Sequence, residues 1–215
     1  MTTKKKPIED FLLQSLEHEL GGVKVYTTAL TCAQNEELKG EWEDYLAETR
    51  EHVAALETVC QELGVDPTEE TPGRKVVRHI GGALVEAMTM AREAGDPTAA
   101  ELVACECIVL AETKDHLDWS LLSRLAAELG AKAPSLLPYT EEIEDQEDEH
   151  LYHSKGWCRE LWIASLGLPA VIPPLEEQRQ VKTALGAARA EQATERVRLA
   201  RKHGVGSKLR VVGKT

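Results

Sequence analysis

The sequence predicts an all-α fold, a bundle of long amphipathic helices, on three observations. The chain has 215 residues, enough to bury a full core in one domain, but only 4% of them are aromatic and a single one is Phe. Its core is therefore expected to consist mainly of Leu, Val, Ala and Ile. Apolar residues recur at spacings of three and four over most of residues 8–165, and Gly or Pro separates the segments. This is the pattern of helices and their ends.

The first helix is predicted from Ile8 to the mid-thirties, with one charged residue, Glu19, inside its apolar stripe. Because an unpaired buried charge is costly, this carboxylate needs a partner from another helix. The alternative is that Gly21 and Gly22 mark a weak point at which Glu19 reaches solvent, the usual state of a glutamate.

The second helix is predicted from Glu37 to Leu63, ending at Gly64. Its apolar stripe includes His52, so this imidazole is predicted to point inward, with Glu48 on the shoulder of the stripe. A buried histidine is either a metal ligand or a hydrogen-bonded core residue. The inward acids expected on other helices favour the ligand.

An eight-residue phrase in this helix occurs a second time in the chain. Residues 46–53 read LAETREHV and residues 110–117 read LAETKDHL. Each phrase places a Glu four residues before a His, which puts both side chains on one face of a helix, one turn apart. Together they supply four candidate metal ligands: Glu48, His52, Glu112 and His116.

Two further helices are predicted before residue 130. The third, from Arg74 to Ala94, has no inward acid and is interpreted as a packing element in the connection between two helical hairpins. Asp96 then caps a fourth helix, from Pro97 to Leu129, with Pro in its first turn. Glu112 and His116 lie on the same line of this helix as its buried apolar residues.

The fifth helix is predicted from Tyr139 to Ser165. Most of the acidic run at 141–149 must form a solvated face, but Glu147 and His150 fall on the line of buried residues. Their spacing, Glu-x-x-His, again directs a carboxylate and an imidazole to one side of a helix.

Charge divides the chain into an acidic bundle domain, residues 1–174, and a basic C-terminal part, residues 175–215, with a last helix predicted at 175–203. The net charge is −12; residues 178–215 carry ten Lys or Arg and two Glu, or +8, which leaves −20 for the remainder. The acidic body should repel nucleic acid and membrane surfaces. The tail either binds DNA or docks on an acidic face such as 141–149, in its own or a neighbouring subunit, and docking is favoured.

The composition also predicts the compartment. No segment approaches 18 uncharged apolar residues, and the lysine-rich start is followed by an acidic amphipathic segment instead of an apolar signal core. The five Cys residues show no paired framework, so reduced and mostly buried thiols are expected. We expect a cytoplasmic protein that does not enter a membrane.

From Ile8 to Ser165 the chain resembles the ferritin-like superfamily, and within it bacterial stress-associated proteins. That family joins two helical hairpins by a long crossover. It places a Glu from two helices and Glu-x-x-His from the other two around a pair of iron or manganese ions. Glu19 resembles the single Glu of the first helix, Glu112 that of the third bundle helix, and Glu147-x-x-His150 the motif of the fourth. The second helix departs from the pattern, because Thr49 stands three residues before His52.

The resemblance implies a dinuclear Fe or Mn site that reacts with oxygen or hydrogen peroxide, as a ferroxidase, a peroxidase or a catalase-like enzyme. The predicted ligands are Glu19, His52, Glu112, Glu147 and His150, with Glu48 and His116 as additions. A homo-oligomer is expected. Two other classes stay open: a protein that stores iron or protects DNA under stress, and a metal-free helical interaction protein whose Glu and His residues pair across the bundle.

Overall fold

The computed structural model describes residues 5–169 of the chain. These residues form five α-helices and, between the last two, a short 3-10 helix at Gly130–Lys132. The α-helices are α1 (Lys5–Ala29), α2 (Glu36–Leu63), α3 (Pro72–Glu93), α4 (Pro97–Leu129) and α5 (Leu136–Ser165). Within residues 5–169 no strand occurs, and the predicted all-α fold is confirmed for that range. The helix predicted at 175–203 lies outside it.

Two helix ends show the local capping that the sequence predicts. The Asp96 side chain accepts hydrogen bonds from the amides of Thr98 and Ala99 at the start of α4. Gly64 ends α2 in the left-handed conformation, with φ of 67°. α5 begins at Leu136, three residues before the predicted Tyr139. Pro138 is tolerated in the first turn, because amide groups there have no partner within the helix and the missing N–H of proline costs nothing.

α1 is shorter than predicted, since it ends at Ala29 and not in the mid-thirties. The cause is a contact distant in sequence. The buried carboxylate of Glu101 accepts hydrogen bonds from the amides of Gln34, at 2.6 Å, and Asn35, at 2.7 Å. Asn35 in turn caps α2. These bonds hold residues 30–35 as a loop between α1 and α2.

The four longest helices surround a common interior. α1 pairs with α2 and α4 pairs with α5, while α1 also contacts α4 and α2 contacts α5. α3 packs against α1 and α4. Gly21 of α1 lies where α3 comes close, so that a Cβ added at Gly81 would be 3.6 Å from the Gly21 Cα. The alternative that this glycine lets Glu19 reach solvent is wrong, because Glu19 is fully buried.

The interior consists of two apolar clusters separated by a polar layer. One cluster includes Tyr26, Trp42, Ile108 and Trp157, and the other includes Leu16, Leu56, Trp119 and Leu122. Along each of α1, α2, α4 and α5, the predicted inward acids and histidines come between residues of the first cluster and residues of the second. None of the helices in residues 5–169 contains a stretch long and apolar enough to cross a membrane.

An ionic contact fixes α3 to α1. The Glu17 carboxylate is buried, with Oε2 2.6 Å from Arg74 Nε and Oε1 2.7 Å from Arg78 Nε. Burial opposes ionisation of Glu17, but hydrogen bonds from Arg78 and Arg74 outweigh it and hold its pKa below the ordinary value.

The Glu17→Ala substitution is expected to lower the free energy of unfolding by about 3–5 kcal/mol, because it leaves the buried Arg74 guanidinium without its charged partner. Urea denaturation measures this. Glu70→Ala is the matched control, since Glu70 pairs with Arg78 at an exposed position, where an ion pair contributes little to stability. Equal, small losses in the two variants would contradict a structural role for the buried contact.

Candidate metal centre

The centre of the polar layer is formed by three carboxylates and two imidazoles contributed by four helices. Glu19 comes from α1, His52 from α2, Glu112 from α4, and Glu147 and His150 from α5, and none of the five is more than 3% exposed. The structure therefore brings together the five residues that the sequence predicts as the main ligands.

These residues form two groups that share Glu147. Glu19, His52 and Glu147 make one group, and Glu112, Glu147 and His150 make the other; within each group the ligand atoms lie within 4.8 Å of one another. The Glu147 Oε1 atom lies 3.3 Å from His52 Nδ1 and 3.5 Å from His150 Nδ1. Two ligand atoms that bind one ion at right angles, each at about 2.1 Å, lie about 3 Å apart. The spacing is therefore close to that of atoms around an ion.

Outer hydrogen bonds orient both imidazoles in the same way. His52 Nε2 lies 2.9 Å from Gln146 Oε1, and His150 Nε2 lies 2.6 Å from Glu48 Oε2. Since both partners are oxygen acceptors, each Nε2 carries a proton and donates it. The Nδ1 atoms then face the central carboxylates and, in the neutral ring, offer a lone pair. Metal-binding histidines are held by this kind of outer acceptor.

In Glu19 and Glu112, one carboxylate oxygen accepts a hydrogen bond and the other has none. Trp119 Nε1 donates to Glu19 Oε1 at 2.6 Å, and the Tyr26 hydroxyl donates to Glu112 Oε1 at 2.8 Å. The other oxygen of each residue, Oε2, is buried without a hydrogen bond, and so are both oxygens of Glu147. Buried polar atoms without partners are rare and costly. Glu19 and Glu112 thus each have one buried oxygen without a hydrogen bond, whereas Glu147, which belongs to both groups, has two.

The imidazoles can also balance these charges by binding protons. Burial disfavours the charged ring of His52, but the neighbouring carboxylates of Glu147 and Glu19 outweigh burial and raise its pKa to about 10. The pKa of His150 is likewise raised well above its ordinary value, against burial, by Glu112, Glu147 and Glu48. The carboxylates require nearby positive charge, which either metal ions or two protons can supply.

Asp115 is a buried acid of this layer that the sequence interpretation missed. It is 5% exposed and lies one turn beyond Glu112 on α4. Burial, together with the charges of Glu147, Glu19 and Glu112, raises the pKa of Asp115 well above its ordinary value. Its spacing from Glu112, three residues, is the signal that could have identified it.

Two of the seven predicted ligands lie outside both groups. Glu48 has a side chain 34% exposed and contacts His150 from the outer side. His116 is also 34% exposed and pairs with Asp148, with Nε2 2.8 Å from Oδ1. Four residues along a helix displace a side chain by about 6 Å along the axis and about 40° around it. The repeated phrase therefore contributes its His on α2 and its Glu on α4.

We expect Trp119→Phe to weaken metal binding at the group that contains Glu19 by about 10–100-fold, because it removes the hydrogen bond that orients this carboxylate. Anaerobic titration with Mn(II) measures the affinity. Trp162→Phe is the control, since Trp162 donates to the exposed Glu106. Identical affinities in the two variants would show that the orientation of Glu19 has no part in metal binding.

The chain matches no family model, and comparison with curated proteins and with solved structures gives no significant match.

Proposed function

We propose that the protein is a ferritin-like metalloprotein whose bundle holds two Fe or Mn ions and reacts with oxygen or hydrogen peroxide. The observation that carries this proposal is the position of Glu147. Both of its oxygens are buried without a hydrogen bond, and Oε1 lies 3.3 Å from His52 Nδ1 and 3.5 Å from His150 Nδ1. A carboxylate shared by two otherwise separate ligand groups is what a pair of ions requires of a bridging ligand.

The donor set favours Fe and Mn. Carboxylate oxygens suit Mn(II), imidazole nitrogens suit Fe(II), and a mixed set of both is typical of non-haem iron sites. Three carboxylates and two imidazoles would hold the two ions. Such ions supply electrons to dioxygen or peroxide.

The chain itself contributes orientation and exclusion of water. Trp119 and Tyr26 each fix one oxygen of a terminal carboxylate and leave the other buried without a hydrogen bond. Gln146 and Glu48 fix the two imidazoles from outside. The apolar clusters on both sides of the layer keep bulk water from the centre, which strengthens the interaction of the carboxylates with a cation.

The test of the redox function is rapid mixing of the Fe(II)-loaded protein with hydrogen peroxide under anaerobic conditions. Fe(III) absorbance should develop faster than with free Fe(II) in the same buffer. Glu112→Gln, which removes a ligand charge, should abolish the difference. Glu43→Gln, a substitution at an exposed position of α2, is the control. Equal rates for wild-type protein and free Fe(II) would contradict the redox function.

A metal-free helical interaction protein is the second candidate, and the raised pKa values of His52 and His150 favour it. In this case two imidazolium rings balance the carboxylates and the layer only joins the helices. A third proposal, an oligomer that stores iron or protects DNA, depends on the basic tail. The tail lies outside residues 5–169, so both DNA binding and docking stay predictions.

A further inference from the structure

A cleft between α4 and α5 leads from the surface toward the buried centre. It has a volume of about 250 Å³ and is lined by one imidazole and four carboxylates: His116, Glu144, Asp145, Glu147 and Asp148. Four of these, His116, Glu144, Asp145 and Asp148, belong to neither ligand group. Glu147 belongs to both groups and also lines the cleft. The bridging carboxylate of the proposed centre is thus also a wall of the cleft.

We propose that this cleft is an outer binding site for a divalent cation and the route by which Fe(II) or Mn(II) reaches the buried centre. The inference rests on the proposed function and names the path taken by its metal ions. Glu144, Asp145 and Asp148 hold the arriving cation, and Glu147 passes it inward.

Charge and burial together support this assignment. An exposed acidic cluster is common on proteins, but this one includes Glu147, which is 1% exposed and has no hydrogen-bond partner on either oxygen. The cleft therefore brings carboxylates of different burial together, from the exposed Asp145 and the half-buried Glu144 and Asp148 to the buried Glu147. Clefts lined by charges of one sign raise the local concentration of counter-ions and their rate of binding.

The contact between His116 and Asp148 connects the two helices beside this path. Nε2 and Oδ1 are 2.8 Å apart, and the two side chains are 34% and 20% exposed. Because Asp148 shares its oxygen with an imidazole, a cation that displaces this contact gains a carboxylate ligand. This gives a function to His116, the histidine of the repeated phrase that lies outside both ligand groups.

Stopped-flow quenching of tryptophan fluorescence by Co(II) tests the proposal, since the Trp119 ring lies 5.5 Å from the His52 ring. In the double variant Glu144→Gln/Asp145→Asn we expect the rate of Co(II) uptake to fall at least tenfold, with two ions still bound at equilibrium. Uptake by wild-type protein should also slow with added salt more steeply than uptake by the variant. The control is Glu57→Gln/Glu128→Gln, which removes the same charge at exposed positions away from the cleft.

The possible outcomes distinguish failure of the proposed route from failure of the proposed metal centre. Equal uptake rates in the cleft variant and the control, with two ions bound in each, would overturn the cleft as the route and leave the centre in place. Slow uptake in both double variants would show that net charge alone sets the rate, and this also overturns the route. A wild-type protein that binds no Co(II) at equilibrium would overturn the proposed centre together with its route.

Discussion

The Glu147→Gln substitution is expected to abolish the binding of both metal ions, while single substitutions elsewhere in the layer remove one. Glu147 is the member common to both ligand groups, and the amide that replaces it has nearly the same shape but no charge. Each ion would lose a charged ligand in a buried site, where the interaction between opposite charges is strongest. Anaerobic titration with Mn(II), followed by elemental analysis, gives the number of bound ions per chain.

The comparison variants make this prediction specific. Glu19 belongs to one group and Glu112 to the other. Glu19→Gln and Glu112→Gln should therefore each leave about one ion bound. Glu141→Gln, in the same acidic run but exposed, should keep two. Two ions in the Glu147→Gln protein would contradict a bridging role. Loss of only one ion in that variant would show that the two groups are independent sites.

Helix positions could be predicted from the sequence wherever the determinant is local. Asp96 with Pro97, and Gly64 after Leu63, define helix ends by bonds and conformations of neighbouring residues. The end of α1 could not be predicted in this way, since it depends on Glu101, more than 60 residues further along the chain. Helical periodicity continues through the loop, and only a tertiary contact breaks it.

The site shows the same limit at the level of side chains. Periodicity identifies the buried face of a helix but not the level along the helix axis at which the residues of different helices meet. Glu48 and His116 therefore could not be distinguished from His52 and Glu112 within their repeated phrases. Asp115 resembled one more solvated acid among charged neighbours. Trp119 and Tyr26 lay on apolar stripes, where nothing in their spacing shows that the indole and hydroxyl groups orient the carboxylates.

The ferritin-like proposal and the metal-free alternative differ in what neutralises the carboxylates. In the metal-free protein, protons on His52 and His150 do so, and the pKa of His52 at about 10 means that its proton is bound at neutral pH. A histidine whose pKa is raised on folding stabilises the fold fully below its unfolded pKa of about 6.5, and this stabilisation is lost as the pH rises through the folded pKa. The metal-free protein should therefore lose stability between about pH 6.5 and 10.

Metal ions should remove that loss, and this is the largest effect on stability that we expect. Mn(II) at a thousandfold excess over its dissociation constant stabilises the folded state by about 4 kcal/mol for each ion bound. Binding displaces the imidazole protons, so the gain should increase with pH and be accompanied by proton release. Thermal unfolding of wild-type protein with and without Mn(II), at several pH values between 7 and 9, measures it, with Glu147→Gln as the variant that should not respond. Equal melting temperatures with Mn(II) and with chelator at every pH would mean that the layer is held by protons alone, and the metal-free interaction protein would then be the better account.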